Sequence, residues 1–152
     1  MLGYTPLRRI PEFLALLALL LCAAARPSAA PITTEDIQDI FRSVVTVESQ
    51  VPAGARTAAG LGRERRGAGV VIDENGLVLT IGYLILEASS VSLTDADGRR
   101  IPADIVAYDH ETGFGLVRAL LPMDVKPIEL GKSDAVQSGQ PVLALGGGGA
   151  RP

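Results

Sequence analysis

Sulfur-containing and aromatic side chains are scarce in this chain of 152 residues. It has one cysteine, one histidine, no tryptophan, and three residues each of tyrosine and phenylalanine. The lone cysteine, Cys22, cannot form a disulfide within the chain, so no disulfide framework is expected. A lone histidine with scattered carboxylates is a poor ligand set for a transition metal. The sequence therefore predicts a core of Val, Ile, Leu and Ala, with no metal and no cofactor.

Positive charge is outnumbered by negative charge. The chain has 14 Lys and Arg residues against 17 Asp and Glu residues, and its formal net charge is −3 at pH 7. Three of the basic residues and one of the acidic residues lie within residues 1–30, which leaves 11 against 16 and a net charge of −5 for the remainder. This balance gives no reason to expect nucleic acid or an anionic membrane surface as a partner.

Long hydrophobic runs are missing except near the start of the chain. The Arg8-Arg9 pair precedes an apolar run from Phe13 to Ala25, and small residues follow up to Ala30. This run of 13 residues is too short for a helix that crosses a bilayer core of about 30 Å. Residues 1–30 are therefore predicted to be a secretory signal peptide, cleaved after Ala25 or Ala30. Such a peptide directs the protein to the periplasm or the medium; the alternative is a retained signal anchor in the inner membrane.

The rest of the chain is predicted to form one small all-β domain. Thr33 and Thr34 carry hydroxyls that can cap a short helix, with acidic residues in its first turn. Alternating or β-branched runs separated by Gly, Asp and Pro turns then predict many short strands, which is typical of a small barrel or sandwich. The strands are expected at 43–49, 67–73, 77–80, 90–94, 100–108, 114–120, 128–130 and 142–145, and residues 50–66 are expected to form a flexible loop.

The hairpin centred on Asn75-Gly76 is the strongest local signal. Its sequence from Gly67 to Thr80, G-A-G-V-V-I-D-E-N-G-L-V-L-T, resembles a segment of trypsin-like serine proteases of the HtrA (DegP) type. The resemblance implies that residues 31–145 form the first six-stranded β-barrel of a two-barrel fold, whose second barrel is missing from this chain. Three further segments resemble the same family in the same order: the predicted helix followed by Ser43–Ser49, the hairpin Asp95–Asp109, and the linker Leu130–Gly146.

The resemblance also locates the catalytic residues of the family, and none of them is present. The family's general base is the histidine of L-T-N-x-H-V-V, where this chain has Tyr83. The orienting carboxylate belongs to D-x-x-T-D-L-A-V-L, where this chain has Gly113. The nucleophilic serine lies in G-N-S-G-G on the second barrel, a motif that this sequence lacks. A phenol with an ordinary pKa of about 10 is a poor base at neutral pH, so Tyr83 is expected to be a partly buried ring that fills the vacated cleft.

Four other features suggest a function but favour a plainer interpretation. His110, between two acids, is expected to be a solvated turn residue. Ser138 is expected to be a loop serine, because neither G-x-S-x-G nor G-D-S-G-G surrounds it. The Arg63–Arg66 cluster is predicted to lie in a solvated loop, with a site for an acidic peptide or partner as the alternative. The Gly-rich end, residues 146–152, does not have the pattern of a phosphate-binding loop and is expected to mark a truncated chain.

These observations predict an exported, degenerate relative of trypsin-like serine proteases, inactive as sequenced, that acts as a protein- or peptide-binding scaffold. The alternative is a fragment of an active HtrA-like serine endopeptidase of periplasmic protein quality control. A third hypothesis, a β-barrel interaction module without protease ancestry, is disfavoured by the four ordered family segments. A first barrel without the second exposes an apolar face, so residues 31–152 are also expected to be marginally stable, poorly soluble or oligomeric.

Overall fold

The computed structural model describes residues 33–146. The predicted signal peptide (1–30) and the last part of the Gly-rich end (147–152) lie outside the described residues. Along the described chain there are two helices (α1 and α2), six strands (β1 to β6) and two 3₁₀ turns. They are α1 Thr34–Ser43, β1 Val44–Gln50, α2 Ala58–Leu61, β2 Glu64–Val71, β3 Leu77–Ile81, the first 3₁₀ turn Gly82–Leu84, β4 Ser90–Thr94, β5 Arg100–Tyr108, β6 Phe114–Ala119 and the second 3₁₀ turn Ser133–Ala135.

The six strands close into one antiparallel barrel in the order β1-β2-β3-β6-β5-β4. The pairing of β4 with β1, in which Ser92 lies opposite Glu48, closes the sheet. The pairing of β3 with β6, in which Leu79 lies opposite Leu116, joins the two halves of the barrel. Closure pairs strands that would lie at the edges of an open sheet. The predicted all-β fold, a six-stranded barrel preceded by a short helix, is confirmed.

The interior of the barrel is aliphatic. Alternate residues of a strand point inward, as in β1, where Val45 and Val47 are at most 1% exposed and their neighbours are partly exposed. Leu93, Ile101 and Val117, from β4, β5 and β6, are fully buried in the same core. Burial of each such side chain contributes about 1.5–3 kcal/mol. Aliphatic side chains thus supply the core that the composition predicts.

Helix α1 begins at the threonine pair, as predicted. The Thr33 hydroxyl accepts a hydrogen bond from the Asp36 N–H (3.1 Å), and the Asp36 carboxylate accepts one from the Thr33 N–H (2.9 Å). The hydroxyl also donates to that carboxylate (2.7 Å), and this bond is the main cause of a lowered pKa of Asp36. The helix ends at the buried Ser43, whose hydroxyl donates to the Ile40 carbonyl (2.7 Å). Within residues 33–146, no helix has both the length and the apolar content needed to cross a membrane.

Two predicted strands and part of one predicted loop differ in the structure. Residues 142–145 belong to no strand, and residues 128–130 make one backbone bond to the barrel, from the Ile128 N–H to the Val71 carbonyl (2.9 Å). Both runs are apolar, but neither has a neighbouring strand along its length, because the six barrel strands pair with one another. Conversely, Glu64–Arg66, expected in a loop, form the start of β2 and pair with β1.

Candidate functional site

Strands β3 and β6 bring together the two positions at which the resemblance places a catalytic base and its carboxylate. β3 ends at Ile81 and β6 begins at Phe114, and these residues lie directly opposite each other. Just beyond this pair, the N–H of Gly82 donates to the carbonyl of Gly113 (2.7 Å). Tyr83, in the first 3₁₀ turn, therefore lies in a segment that is hydrogen-bonded to the turn containing Gly113. The fold keeps the two segments together although neither residue carries an imidazole or a carboxylate.

The turn before β6 is closed around Asp109. Its carboxylate accepts hydrogen bonds from the Thr112 hydroxyl (2.6 Å) and the Glu111 N–H (3.0 Å). The Thr112 hydroxyl is the main cause of a pKa of Asp109 below its ordinary value. Gly113 has a φ of +75°, which glycine adopts without strain, and a Cβ added there would meet no atom within 4 Å. Position 113 therefore has room for a side chain, but its backbone conformation favours glycine.

The tyrosines near this turn occupy different environments. The Tyr83 ring is 41% exposed on this barrel. Gly82, in contrast, packs against the ring of Tyr108, because a Cβ added to Gly82 would lie 2.0 Å from Cε2 and 2.3 Å from Cδ2 of that ring. The Tyr108 ring also meets the exposed His110 ring edge-to-face, with 4.4 Å between centroids. Tyr108 is thus the aromatic residue that packs here, and the sequence analysis did not single it out.

A buried arginine anchors the loop of residues 82–87, hereafter the 82–87 loop. Arg65 of β2 is 4% exposed. Its Nη1 donates to the carbonyls of Tyr83 (2.5 Å) and Leu86 (2.9 Å). Its Nε donates to the Gly62 carbonyl (3.1 Å), and its Nη2 donates to the Thr57 hydroxyl (2.8 Å). A buried cation is stable only when it is hydrogen-bonded, and these four acceptors engage all three nitrogens of the guanidinium.

Glu87 extends the Arg65 network beyond Thr57. The Glu87 carboxylate accepts hydrogen bonds from the hydroxyl (2.5 Å) and the N–H (2.8 Å) of Thr57, and it lies 4.0 Å from the Arg56 guanidinium. The Thr57 hydroxyl therefore links the Arg65 cation to the Glu87 anion, and its bond is the main cause of a lowered pKa of Glu87. Glu87 has a φ of +58°, which is uncommon for a residue other than glycine. These contacts hold the end of the 82–87 loop in that conformation.

Leu84 attaches the middle of the 82–87 loop to the core. Its carbonyl accepts a short hydrogen bond from the buried Ser49 hydroxyl, and its side chain is fully buried together with Ile85. A Cβ added to Gly67 would lie 2.6 Å from Cδ1 of Leu84, so the glycine at this position lets Leu84 reach the interior. The loop that contains Tyr83 is consequently a fixed part of the barrel.

Strand β2 contains three residues of the Arg63–Arg66 cluster, and their side chains alternate between solvent and the interior. The prediction of a solvated cluster is therefore wrong for Arg65. Arg66 faces outward, with its Nε 3.5 Å from the Glu48 carboxylate of β1, whereas Arg65 faces the interior. Nothing in the sequence pattern distinguishes the inward arginine from its neighbours. Its burial depends on carbonyl groups from a loop more than fifteen residues away, which no local signal reveals.

Three apolar side chains lie exposed at or beside positions 83 and 113. Ile81 is 51% exposed, Tyr83 41% and Phe114 53%, and these residues are called the 81/83/114 patch below. Ile81 and Phe114 are cross-strand neighbours on the outer face of the barrel, where opposite Cβ atoms lie about 4.5–5.5 Å apart. Clustered exposed apolar side chains are typical of a surface that contacts another molecule. Among residues 33–146, no three or more His, Cys, Asp or Glu side chains are grouped to hold a metal ion.

The strand order and the paired turns define the class of protein. A closed six-stranded antiparallel barrel is the architecture that the sequence resemblance predicts for the first barrel of a trypsin-like peptidase. In this barrel the turn after β3 is hydrogen-bonded to the turn before β6. Comparisons with known proteins agree with this assignment.

A model of the trypsin-like peptidase domain matches residues 67–152. Serine protease PepD of Mycobacterium tuberculosis is 30% identical over 141 residues, which cover 82% of this chain and 30% of that protein. A probable periplasmic serine endoprotease DegP-like of Pseudomonas fulva is 27% identical over 116 residues, which cover 74% of this chain and 24% of that protein. The solved structure of the HtrA-type protease AlgW with tripeptide shares the fold, with a TM-score of 0.56 and 20% identity over 68% of this chain and 31% of that chain.

The chain belongs to the trypsin-like peptidase family, and its barrel is the N-terminal barrel of an HtrA-type protein. It spans less than a third of the length of the relatives described above, between 24% and 31%.

Proposed function

We propose that the protein is an exported HtrA-type homologue that lacks peptidase activity and binds protein or peptide segments. The observation that carries the proposal is the anchored 82–87 loop, which preserves the surroundings of the site while Tyr83 and Gly113 replace its chemistry. Serine acyl transfer needs a histidine base and a carboxylate that fixes its tautomer. These groups act as a unit, so the loss of one removes most of the benefit of keeping the other.

Tyr83 and Gly113 do not themselves form a base–carboxylate pair. Position 83 carries a phenol where the family has an imidazole. Gly113 offers only a backbone carbonyl, which already accepts the hydrogen bond from Gly82. The carboxylate of Asp109 is engaged by the Thr112 hydroxyl and lies four residues before Gly113 in its turn. This arrangement supports inactivity and gives no reason to place a relocated catalytic centre in the barrel.

The 81/83/114 patch supports the binding function. In the family segment L-T-N-x-H, Ile81 corresponds to the asparagine and Tyr83 to the histidine, so two polar positions hold apolar or aromatic side chains. Phe114 follows the position of the missing carboxylate and is half exposed. A surface that has exchanged polar catalytic groups for exposed apolar groups suits the apolar side chains of an extended or unfolded chain.

We infer that the protein acts outside the cytoplasm, in the periplasm or as a secreted protein. The predicted signal peptide supports this location, and the relatives include proteins named as periplasmic endoproteases of Pseudomonas fulva and Salmonella typhimurium. N-terminal sequencing of the protein recovered from cells distinguishes the alternatives. A mature chain that begins at Arg26 or Pro31 indicates cleavage, whereas an intact N-terminus indicates a signal anchor.

Incubation of the purified protein with fluorescein-labelled casein tests the loss of activity. We expect no release of labelled peptides and no labelling by a fluorophosphonate probe. Hydrolysis of casein that is abolished by a serine-directed inhibitor would overturn the proposal.

Fluorescence anisotropy with the same labelled casein tests the binding surface. The double variant Ile81→Asn/Phe114→Asn is expected to bind at least about tenfold more weakly, because it removes the exposed apolar contacts. Leu130→Asn is the matched control, since Leu130 is 69% exposed and lies outside the barrel strands. An equal loss in the control, or no loss in the double variant, contradicts the assignment of binding to this patch. Circular dichroism of each variant shows whether the fold is retained.

A fragment of an active HtrA-like endopeptidase of periplasmic quality control is the second candidate. The intact barrel and the likeness to proteins named as serine proteases favour it. A longer reading frame that contains G-x-S-G-G, together with casein hydrolysis by its product, would support this candidate. A product in which that serine is also replaced would support the inactive scaffold.

A further inference from the structure

We propose that residues 51–63, hereafter the 51–63 loop, act as a latch for the 82–87 loop, so that the two loops become ordered and disordered together. A partner that displaces the 51–63 loop, or a cut in its chain, then changes how Tyr83 is presented on the surface. The proposal concerns the contacts between the two loops and does not depend on the proposed binding of peptides.

The 51–63 loop is fixed at its base and buries little beyond it. At the base, the Val51 N–H donates to the Arg63 carbonyl (2.7 Å), and Val51 is 2% exposed. None of residues 52–62, which include helix α2, is buried. Burial of apolar side chains therefore contributes little to the position of residues 52–62 on the barrel, and polar contacts must hold them there.

Every hydrogen bond and ion pair that joins residues 52–62 to the rest of the described chain ends on Arg65 or Glu87. Arg65 donates to the Gly62 carbonyl (3.1 Å) and to the Thr57 hydroxyl (2.8 Å). The Glu87 carboxylate accepts from the N–H groups of Arg56 (3.3 Å) and Thr57 (2.8 Å), in addition to the Thr57 hydroxyl. Residues 52–62 are thus attached to the barrel through one cation and one anion, and the anion belongs to the 82–87 loop.

Arg65 divides its donors between the two loops. Its Nη1 donates to the Tyr83 and Leu86 carbonyls of the 82–87 loop, whereas its Nε and Nη2 donate to the 51–63 loop. If residues 52–62 leave the barrel, the buried guanidinium loses two of its four acceptors, and a buried cation without partners is costly. The cation then moves toward water or admits water beside it, and either change weakens its bonds to the 82–87 loop. Displacement of one loop therefore loosens the other.

The same coupling acts in the opposite direction. A coupling free energy between two segments is reciprocal, so a change that loosens the 82–87 loop must also loosen residues 52–62. Ser49 offers a way to make such a change, because its hydroxyl donates only to the Leu84 carbonyl of the 82–87 loop. The 51–63 loop is also accessible to a partner, since Leu61 is 46% exposed and the Arg56 side chain is 96% exposed.

Hydrogen exchange of the full chain tests the effect of the 51–63 loop on the 82–87 loop. Thr57→Val removes the hydroxyl that accepts from Arg65 and donates to Glu87. We expect the Leu86 amide, which donates to the Gly82 carbonyl (3.1 Å), to exchange at least about fivefold faster in this variant. Unchanged exchange at Leu86 would overturn the proposal.

A second variant tests the coupling from the other side. Ser49→Ala removes the donor to the Leu84 carbonyl and leaves every bond of residues 52–62 in place. We expect the amides of Leu61 and Gly62, which donate to the Thr57 and Ala58 carbonyls (2.9 Å and 3.1 Å), to exchange about as much faster as Leu86 does in the same variant. Acceleration that is confined to the 82–87 loop would contradict the proposal.

Two controls separate the coupled loops from general destabilisation. Thr33→Val is the matched control for Thr57→Val, because the Thr33 hydroxyl also donates to a carboxylate, that of Asp36 (2.7 Å), but lies at the start of α1. It is expected to leave exchange in both loops within about twofold of the unmodified protein. The Gly98 amide, which donates to the Asp95 carbonyl (3.0 Å) in another turn, is the internal reference. Equal acceleration at Gly98 and in the loops would show that the loops do not open as a unit of their own and would overturn the proposal. Circular dichroism confirms that each variant is folded.

Discussion

The barrel has two outer faces of opposite character. On the face of β1, β4 and the start of β5, Glu48 lies 3.5 Å from the Arg66 guanidinium and 3.2 Å from that of Arg100. Arg100 also donates to the Ser92 hydroxyl (2.9 Å). On the face of β3 and β6, most outward side chains are apolar instead, as in the opposed residues Leu79 and Leu116. Arg118 is an exception, with its Nη1 3.7 Å from the Asp73 carboxylate. One face presents cross-strand ion pairs to solvent, and the other presents aliphatic and aromatic groups.

The polar face is suited to solvent, whereas the apolar face is suited to contact with another molecule. Ion pairs on an exposed sheet face contribute little energy, but they keep the surface soluble. On the apolar face, the side chains of Ile81 and Phe114 are half exposed to water. Exposed apolar side chains of this kind are typical of a surface that another molecule covers. Positions 83 and 113 lie at the end of this apolar face, where the 82–87 loop is anchored from inside. We therefore expect substitutions on the polar face to lower the free energy of unfolding less than substitutions that disturb the anchor of the 82–87 loop.

The largest expected effect comes from a substitution of Arg65, compared with the same substitution of its neighbour Arg66. Arg65→Met is expected to lower the free energy of unfolding by roughly 3 kcal/mol, because the buried carbonyls of Tyr83 and Leu86 lose their donors. Arg66→Met, on the polar face, is expected to cost less than about 1 kcal/mol, because it removes only a surface ion pair. Urea unfolding followed by circular dichroism measures both values.

Hydrogen exchange gives the same pair of variants a second readout. Amides of the 82–87 loop are expected to exchange faster in Arg65→Met and to be unchanged in Arg66→Met, since only Arg65 holds the loop. Similar destabilisation by both substitutions, without a local change in exchange, would show that the apolar face does not depend on an internal anchor.

The turn at the end of the apolar face is tested by Gly113→Ala. Gly113 has a φ of +75°, so alanine there is expected to cost about 1 kcal/mol. Gly131→Ala is the matched control, because its added Cβ also meets no atom within 4 Å and its φ is not positive, so a change within about 0.5 kcal/mol is expected. Thermal unfolding measures both. A neutral Gly113→Ala would mean that the turn relaxes easily, and position 113 would then accept a carboxylate without penalty.

The sequence predicts those strands whose burial alternates. β4 and β5 lie at the predicted 90–94 and 100–108, because one buried face imposes a period of two on β4 and on the first half of β5, Arg100–Ala103. The start of β2 escapes prediction, because its inward residue, Arg65, is charged and resembles its exposed neighbours. The apolar run at 142–145 predicts a strand, but these residues form none, because an apolar run does not by itself supply a neighbouring strand to pair with.

The candidate site was predictable only in part, for a similar reason. Family resemblance identifies positions 83 and 113, because motif spacing is local in the sequence. The packing of Tyr108 against Gly82 and the bonds from Arg65 to the 82–87 loop join distant segments. Such contacts depend on how the hairpins are placed in the closed barrel. The expectation that the Tyr83 ring fills a cleft stays a prediction, because the resemblance implies that this cleft lies between the first barrel and a second one.

The smallest expected effect is a pH dependence that comes from Glu87. Its pKa lies below the ordinary 4.5, chiefly because the Thr57 hydroxyl donates to the carboxylate. A carboxyl group whose pKa is lowered by folding stabilises the folded state above its unfolded-state pKa, and this contribution is lost as the pH falls through the folded value. The melting temperature is therefore expected to fall more steeply below about pH 4.5 in the unmodified protein than in Glu87→Gln. Thr57→Ser keeps the hydroxyl and should keep the dependence. If the melting temperature of Glu87→Gln depends on pH in the same way as that of the unmodified protein, the Glu87 carboxylate does not stabilise the 82–87 loop, and Arg65 and Ser49 anchor it without that carboxylate.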